Sequence, residues 1–206
     1  VTGVQTCALP IYGKLLKQLW TLGIRDKRLL KIISVMLKAK VAGIGFPEKG
    51  TPQGGIISPL LANVVLNELD WWITSQWEAI PTRKEYQGKT LKTGTIDRSG
   101  YYRVLRQNSR LKECFIIRYA DDFKIFCRHR NEASKLFKAT EMWLKERLGL
   151  DISEEKSRIV NLKKNYSEFL GFKIKVHRKG MDRSGKSRYT VKSNVSEKAL
   201  FKIKEK

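Results

Sequence analysis

A chain of 206 residues with 41% hydrophobic content, including five Trp, seven Tyr and eight Phe, can build an apolar core, which excludes general disorder. Its net charge of +22 implies a polyanionic partner. No run of about 18 apolar residues exists, so nothing spans a bilayer as a helix, and nucleic acid is favoured over a membrane surface as that partner.

Residues 1–11 carry no charge, while the rest of the chain is dense in lysine. They are too short for a signal peptide and lack its basic start. The string resembles a translated sequencing adapter joined to a reading frame, and it is set aside as a non-native leader. From Lys14 the spacing of Leu15, Leu16, Leu19 and Leu22 predicts a helix ended by Gly23. Asp26 is placed to cap a second helix with Leu29, Leu30, Ile33, Met36 and Leu37 on its apolar face. Gly and Pro density marks residues 42–55 as a loop or short hairpin. Ser58-Pro59 then starts a long helix, Ser as cap and Pro in the first turn. Its apolar residues cover most of the circumference, so it is expected to be buried under a sheet, with Trp71, Trp72 and Trp77 continuing toward the surface.

Residues 81–112 form a basic insertion with interleaved Tyr86, Tyr101 and Tyr102. It reads either as a surface loop or as a nucleic-acid contact through phosphates and stacking. Beyond it, Cys114–Arg118 and Phe123–Arg128 alternate and are rich in β-branched and aromatic residues, with Tyr119-Ala120-Asp121-Asp122 at their junction. This predicts a hairpin with two carboxylates at its tip. Adjacent aspartates repel each other in a dry site but suit divalent cations. Mg²⁺ takes oxygen ligands, and two such ions clamp the attacking and leaving oxygens of a phosphoryl transfer. On its own an Asp-Asp pair reads as a solvated turn; its surroundings decide between the two.

Asn131 is expected to cap a helix presenting Ala133, Leu136, Phe137, Thr140, Trp143, Leu144 and Leu148, ended by Gly149. Strands are expected at residues 156–162 and 169–176, a charged turn at 177–188, a short pairing strand at 189–192 and the start of a helix from 195. The cysteines, Cys7, Cys114 and Cys127, are odd in number and lack CxxC spacing, so reduced core thiols are expected and a zinc site is not. His129 and His177 sit among basic residues, lack a triad partner and are expected at the surface.

Gly50-Thr51-Pro52-Gln53-Gly54-Gly55-Ile56-Ile57-Ser58-Pro59-Leu60-Leu61-Ala62-Asn63 resembles the fourth conserved block of reverse transcriptases, in the variant of group II intron-encoded proteins. Tyr119-Ala120-Asp121-Asp122 is similar to the fifth block. Residues 148–162, with Glu155-Lys156-Ser157, resemble the sixth, and Phe169-Leu170-Gly171-Phe172 the seventh. Four blocks in the right order cover residues 12–176 and carry more weight than any one string. The resemblance implies an α+β fold of the reverse-transcriptase palm type. Its sheet bears the catalytic hairpin, helices pack on one face, and fingers and thumb are incomplete. Residues 12–176 would be the palm, and 177–206 would begin the connection to a thumb or maturase domain.

The implied activity is RNA-directed DNA polymerisation with a maturase role on the intron's own RNA. Asp121 and Asp122 would be catalytic and hold two Mg²⁺. Gln53, Gly54, Ala120 and Lys156 would meet nucleotide and template. Phe169, Leu170, Gly171 and Phe172 would hold the primer. The implied partners are RNA template, intron RNA, DNA primer or target and dNTPs, without a membrane, in a bacterial cytoplasm. A splicing factor that kept the palm but lost catalysis, and a retron-type enzyme, are the alternatives. The wording of the fourth block and intact Asp121 and Asp122 favour the intron polymerase. The family's third metal-binding aspartate lies upstream of the first helix, where residues 1–11 contain no Asp or Glu. The expectation is therefore a fragment with little polymerase activity by itself.

Overall fold

The structure, a computed structural model, describes residues 2–5 as backbone together with residues 12–39, 57–82, 84, 88–182 and 184–205. Helix α1 (Tyr12–Thr21) buries Leu15 and Leu19 and ends before Gly23, whose φ of 102° suits glycine. Helix α2 (Lys27–Leu37) is capped as expected: the Asp26 carboxylate accepts from the Arg28 and Leu29 amides at 2.8 and 3.3 Å. Its buried face is narrower than the spacing implied. Ile33 and Leu37 are buried, whereas Leu29 and Met36 are exposed.

Helix α3 (Ser58–Gln76) is the central helix and buries Leu61, Val65, Leu66, Leu69 and Ile73. Two expectations need correction here. Ser58 is the first helical residue and Ile57 holds the cap position, so Ser58 is not the cap. Nor do the tryptophans run steadily outward. Trp71 is exposed, Trp72 stacks on Trp143 at 5.1 Å, and Trp77 is fully buried because the chain leaves the helix there and turns inward. Leu60 is exposed as well, so the helix is buried along a broad stripe and not all round.

Strands β1 (Thr2–Gln5), β2 (Lys89–Thr90), β3 (Ile96–Asp97), β4 (Cys114–Tyr119), β5 (Asp122–Cys127) and β6 (Arg158–Ile159) form two sheets. The larger has the order β4-β5-β1-β6, and β2 pairs only with β3. Residues 2–5, set aside on sequence grounds, thus fill a central strand antiparallel to both β5 and β6. Between β4 and β5 the register pairs Cys114 with Cys127 and Tyr119 with Asp122. Alternation therefore puts Cys114, Ile116, Arg118, Phe123, Ile125 and Cys127 on one face, the face covered by helices, where Phe123 and Ile125 are buried. Cys114 and Cys127 are free thiols, and burial pushes Cys114 up to about 12. Helix α3 runs antiparallel to β4: the Cys114 Sγ donates to the Ile73 carbonyl at 3.9 Å, while Arg118 meets Asp70 and Asn63.

The basic insertion is built structure among its described residues. Helix α4 (Ser99–Asn108) follows the β2–β3 hairpin and buries Leu105. Its tyrosines turn inward. The Tyr101 hydroxyl donates to the Ile80 carbonyl at 2.7 Å, and the Tyr102 ring lies 6.0 Å from Trp77 and 5.7 Å from Phe115. These rings brace the core and are not platforms for bases; Tyr86 lies outside the described residues. Glu113 ties the insertion to the hairpin, accepting from Arg106 at 2.6 Å and from Arg128 at 2.6 Å. The Arg106 hydrogen bond, then the charges of Arg128 and Arg106, hold its carboxyl below the usual range against the opposing effect of burial.

Helix α5 (Arg130–Trp143) starts one residue before Asn131, with His129 in the cap position, so Asn131 does not cap it. It continues as a π turn, Leu144–Leu148, closed by Gly149 at φ 66°. The strand expected at 156–162 shrinks to β6. The next expected strand is split by a tight turn. Strand β7 (Ser167–Phe169) pairs with β8 (Phe172–Met181), and β8 with β9 (Ser187–Val195). The charged turn expected over 177–188 is mostly a two-stranded ribbon. His177, expected in solvent, is half-buried, with Nε2 closed off and no hydrogen-bond partner among the described residues. Helix α6 (Glu197–Lys204) is capped by Ser196, whose hydroxyl accepts from the Ala199 amide at 3.3 Å.

Leu69 is fully buried in the α3 stripe. Leu69→Ala is expected to lower unfolding stability by about 2–5 kcal/mol, measured by urea titration. Glu113→Gln is expected to cost on the order of 1–2 kcal/mol at neutral pH. Because the folded carboxyl titrates low, its contribution is present above the ordinary Glu value and is lost as pH falls through the folded one. The gap between wild type and variant should therefore close on acidification below the ordinary glutamate range, followed by thermal unfolding across pH.

Candidate active site at the carboxylate hairpin

The tip of the β4–β5 hairpin is a two-residue turn, Ala120-Asp121, with Asp122 as the first residue of β5. Ala120 has φ 51°, a region where a Cβ is disfavoured. Arg118 braces that turn. Its Nε and Nη2 fork onto the Asp70 carboxylate at 2.9 and 2.6 Å. Its Nη1 donates to the Asn63 side-chain oxygen at 2.7 Å and to the Ala120 carbonyl at 2.8 Å. One planar cation thus fixes the turn to α3 at two points, Asn63 and Asp70.

Asp121 and Asp122 are both half-buried. Partial burial pushes the Asp122 carboxyl up, and the Asp121 charge adds to that; Lys124 and Lys156 pull it back down. Lys156 is exposed, and its charge acts on Asp122. Alternation puts Asp122 and Lys124 on the face opposite the helices. There Lys124 is covered: it is 7% exposed, and its Nζ donates to the Ser167 hydroxyl at 2.8 Å and lies 5.7 Å from the Phe169 ring. Burial depresses the Lys124 ammonium, against the pull of Asp122.

Ser167 and Phe169 belong to the second hairpin. Its turn, Leu170-Gly171, has φ of 50° and 78°, both positive, as a tight two-residue turn requires. The Gly171 carbonyl accepts from the Ser196 amide at 2.7 Å, and an added Cβ at Gly171 would meet Ala199 at 3.3 Å. The structure thereby brings Phe169 to the carboxylate hairpin through Lys124, with Leu170 and Phe172 exposed beside it. Gln53 and Gly54 lie outside the described residues. Arg118, Asp70, Asn63, Lys124 and Ser167 were missed on sequence grounds. The available signal was a cation inside each of two otherwise apolar strand runs, Lys124 on the face that alternation assigns to solvent and Arg118 on the face it assigns to the core.

The donor chemistry suits a hard divalent cation. Two adjacent carboxylates, one already resisting ionisation through burial and then through its neighbour, offer oxygen ligands and unbalanced negative charge. Among the described residues no group of three His, Cys, Asp or Glu side chains is placed to hold a metal. The strand beside Asp122 carries Gln5 in register with it, not a carboxylate. Mg²⁺ is commonly bound through one or two carboxylates, with substrate phosphates and water completing its shell, and the pair offers oxygen ligands of that kind.

Arg118→Met should strand Asp70 and the Ala120 carbonyl, costing about 2–3 kcal/mol in urea unfolding and speeding amide exchange at the turn. Arg118→Lys should recover only part of this, since an ammonium cannot fork. Unchanged exchange at residues 120–122 in Arg118→Met would refute the brace.

Residues 13–174 match the family described as reverse transcriptase (RNA-dependent DNA polymerase). The group II intron-encoded protein LtrA of Lactococcus lactis subsp. cremoris is 30% identical, over 80% of this chain and 33% of its own length. The putative COX1/OXI3 intron 2 protein of Saccharomyces cerevisiae is 26% identical, over 74% of this chain and 21% of its own. Protein YkfC of Escherichia coli is 27% identical, over 80% and 43%. The chain therefore spans a third or less of the first two relatives. With most of its length matched in family order around the paired aspartates, the chain belongs to the reverse transcriptase (RNA-dependent DNA polymerase) family.

Proposed function

We propose that this chain is the palm region of a group II intron-encoded RNA-directed DNA polymerase whose protein also binds its intron RNA as a maturase. The observation carrying this reading is the paired carboxylate at the tip of a braced hairpin, with a second hairpin linked to it through Lys124. Intron-encoded names among the relatives support the intron class. The reaction is attack of a primer 3′-hydroxyl on the α-phosphate of a dNTP, with diphosphate leaving. Asp121 and Asp122 would hold two Mg²⁺, which when bound supply charge neutralisation for the attacking and leaving oxygens.

The residues have separate tasks in this reading. Ala120 offers a small surface beside the primer end. Lys156, an exposed cation felt by Asp122, stabilises the triphosphate. Gln53 and Gly54 serve the templating pair and the nucleotide. Helix α3, into which they lead, meets the hairpin tip through Asn63. Phe169, Leu170, Gly171 and Phe172 hold the primer strand. The partners are RNA template, intron RNA, DNA primer or target and dNTPs. Among the described residues no helix is long and apolar enough to cross a membrane. A bacterial cytoplasm is the proposed setting, in line with the Lactococcus relative.

In the protein that carries this chain, Asp121→Asn with Asp122→Asn is expected to cut extension of a DNA primer on an RNA template by 10³-fold or more. RNA affinity should stay within about twofold. Extension surviving in the double variant would refute the assignment. RNA binding without extension in the unsubstituted protein would favour the splicing-factor reading.

A further inference from the structure

The β8–β9 ribbon separates its residues by face. Ser167, Phe169, Ile174, Val176 and Val191 share the face turned toward Lys124, because Ser167 pairs with Ile174 and Val176 with Val191. The opposite face carries Lys173, Lys175, Arg188 and Lys192. Lys175 and Lys192 are directly opposed in register, an arrangement that destabilises a sheet unless something anionic lies across it. Acidic relief is confined to one end: Lys173 pairs with Glu197 at 2.8 Å and with Glu168 at 4.0 Å. At the far end the single acid, Asp182, is spent in the turn, where its carboxylate accepts from the Ser184 and Lys186 amides at 2.9 Å. Lys175, Arg188 and Lys192 have no ion-pair partner among the described residues.

We propose that this outward basic face is a second nucleic-acid surface, separate from the carboxylate site, that docks the phosphate backbone of double-helical RNA. This rests on the intron-RNA reading above and names the surface that would serve it. Charge alone would not distinguish duplex from single strand, but side-chain type does. On the outward positions from Lys173 to His177 and from Arg188 to Asn194 the one ring is that of His177, which is half-buried, and the Tyr166 ring beside them lies against the Lys175 ammonium at 5.0 Å, so stacking platforms for bases are few there. Backbone contact fits a duplex, which proteins recognise through phosphates and shape. Lysines on an edge strand also discourage sheet-to-sheet aggregation. That role does not require the opposed pair on the inner partner strand, β8.

The test measures binding of a blunt RNA duplex and of an unstructured single-stranded RNA by fluorescence anisotropy across salt. It compares wild type, Lys175→Gln/Arg188→Gln/Lys192→Gln, and an equal charge loss on α2, Lys27→Gln/Arg28→Gln/Lys31→Gln. The ribbon triple should lose at least tenfold in duplex affinity at moderate salt. Its slope of log affinity against log salt should flatten by about 2–3, near 0.9 per lost contact. The α2 triple should change that slope by less than about 1, and single-strand binding should fall less than duplex binding in the ribbon triple. Arg188→Gln alone, on the exposed strand, should flatten the slope by about 0.9 and guards against misfolding of the triple. Equal effects from the two triples, or none from the ribbon, would overturn the proposal while leaving the polymerase reading intact. Failure of the wild type to bind RNA at all would overturn the reading on which it rests.

Discussion

The guanidinium of Arg118 is the contact on which the geometry of the site depends. A hairpin tip is ordinarily a mobile place, and a turn containing Ala at positive φ is not one the backbone prefers. Two aspartates side by side add repulsion. Arg118 spends its donors on three different parts of the structure: the Asp70 carboxylate, the Asn63 amide oxygen and the carbonyl of the turn itself. A lysine offers no such fork, and an apolar residue would leave Asp70 without its cation. The hairpin is thereby fixed to the most deeply buried helix of the chain, and the carboxylates inherit the rigidity of the core.

Lys124 makes the complementary connection on the other face. Burying an ammonium is costly, and hydrophobic replacements for buried charges are often neutral or stabilising. A single hydroxyl partner and a nearby ring do little to offset that cost. What the arrangement supplies is position. The same side chain lies on Asp122's face, feels its charge and holds the strand that leads into the Leu170-Gly171 turn. Two hairpins are registered against each other through it. The electrostatics agree: cations on both sides of Asp122 moderate a carboxyl that burial and Asp121 would otherwise drive toward the neutral form.

The regions around this centre follow from how surface was divided. The insertion spends its aromatic rings on Trp77, Ile80 and Phe115 and leaves its basic residues outside. The ribbon does the same by face, apolar inward and basic outward. In the insertion, burial of the rings sets the orientation, and positive charge takes what remains. A chain with a net charge of +22 can then present separate basic surfaces without loss of its core.

The sequence by itself determined the helices other than α4, the two-carboxylate tip, the order of the family blocks and the reduced state expected of Cys114 and Cys127. Those features are local: periodicity, a capping Asp26, a terminating Gly149 and adjacent acidic residues need no distant partner to be legible. Tertiary structure decided the rest. It buried Trp77 and exposed Trp71, turned Tyr101 and Tyr102 inward, drew residues 2–5 into the sheet and cut the strand at Leu170-Gly171. It also decided which cations matter. Arg118 and Lys124 look like any polar residue on an alternating strand until Asp70 and Ser167, each more than forty positions away, are seen to meet them. Alternation says only which face of the sheet a side chain leaves by. Whether it then meets water or another segment depends on long-range packing, which no local pattern encodes.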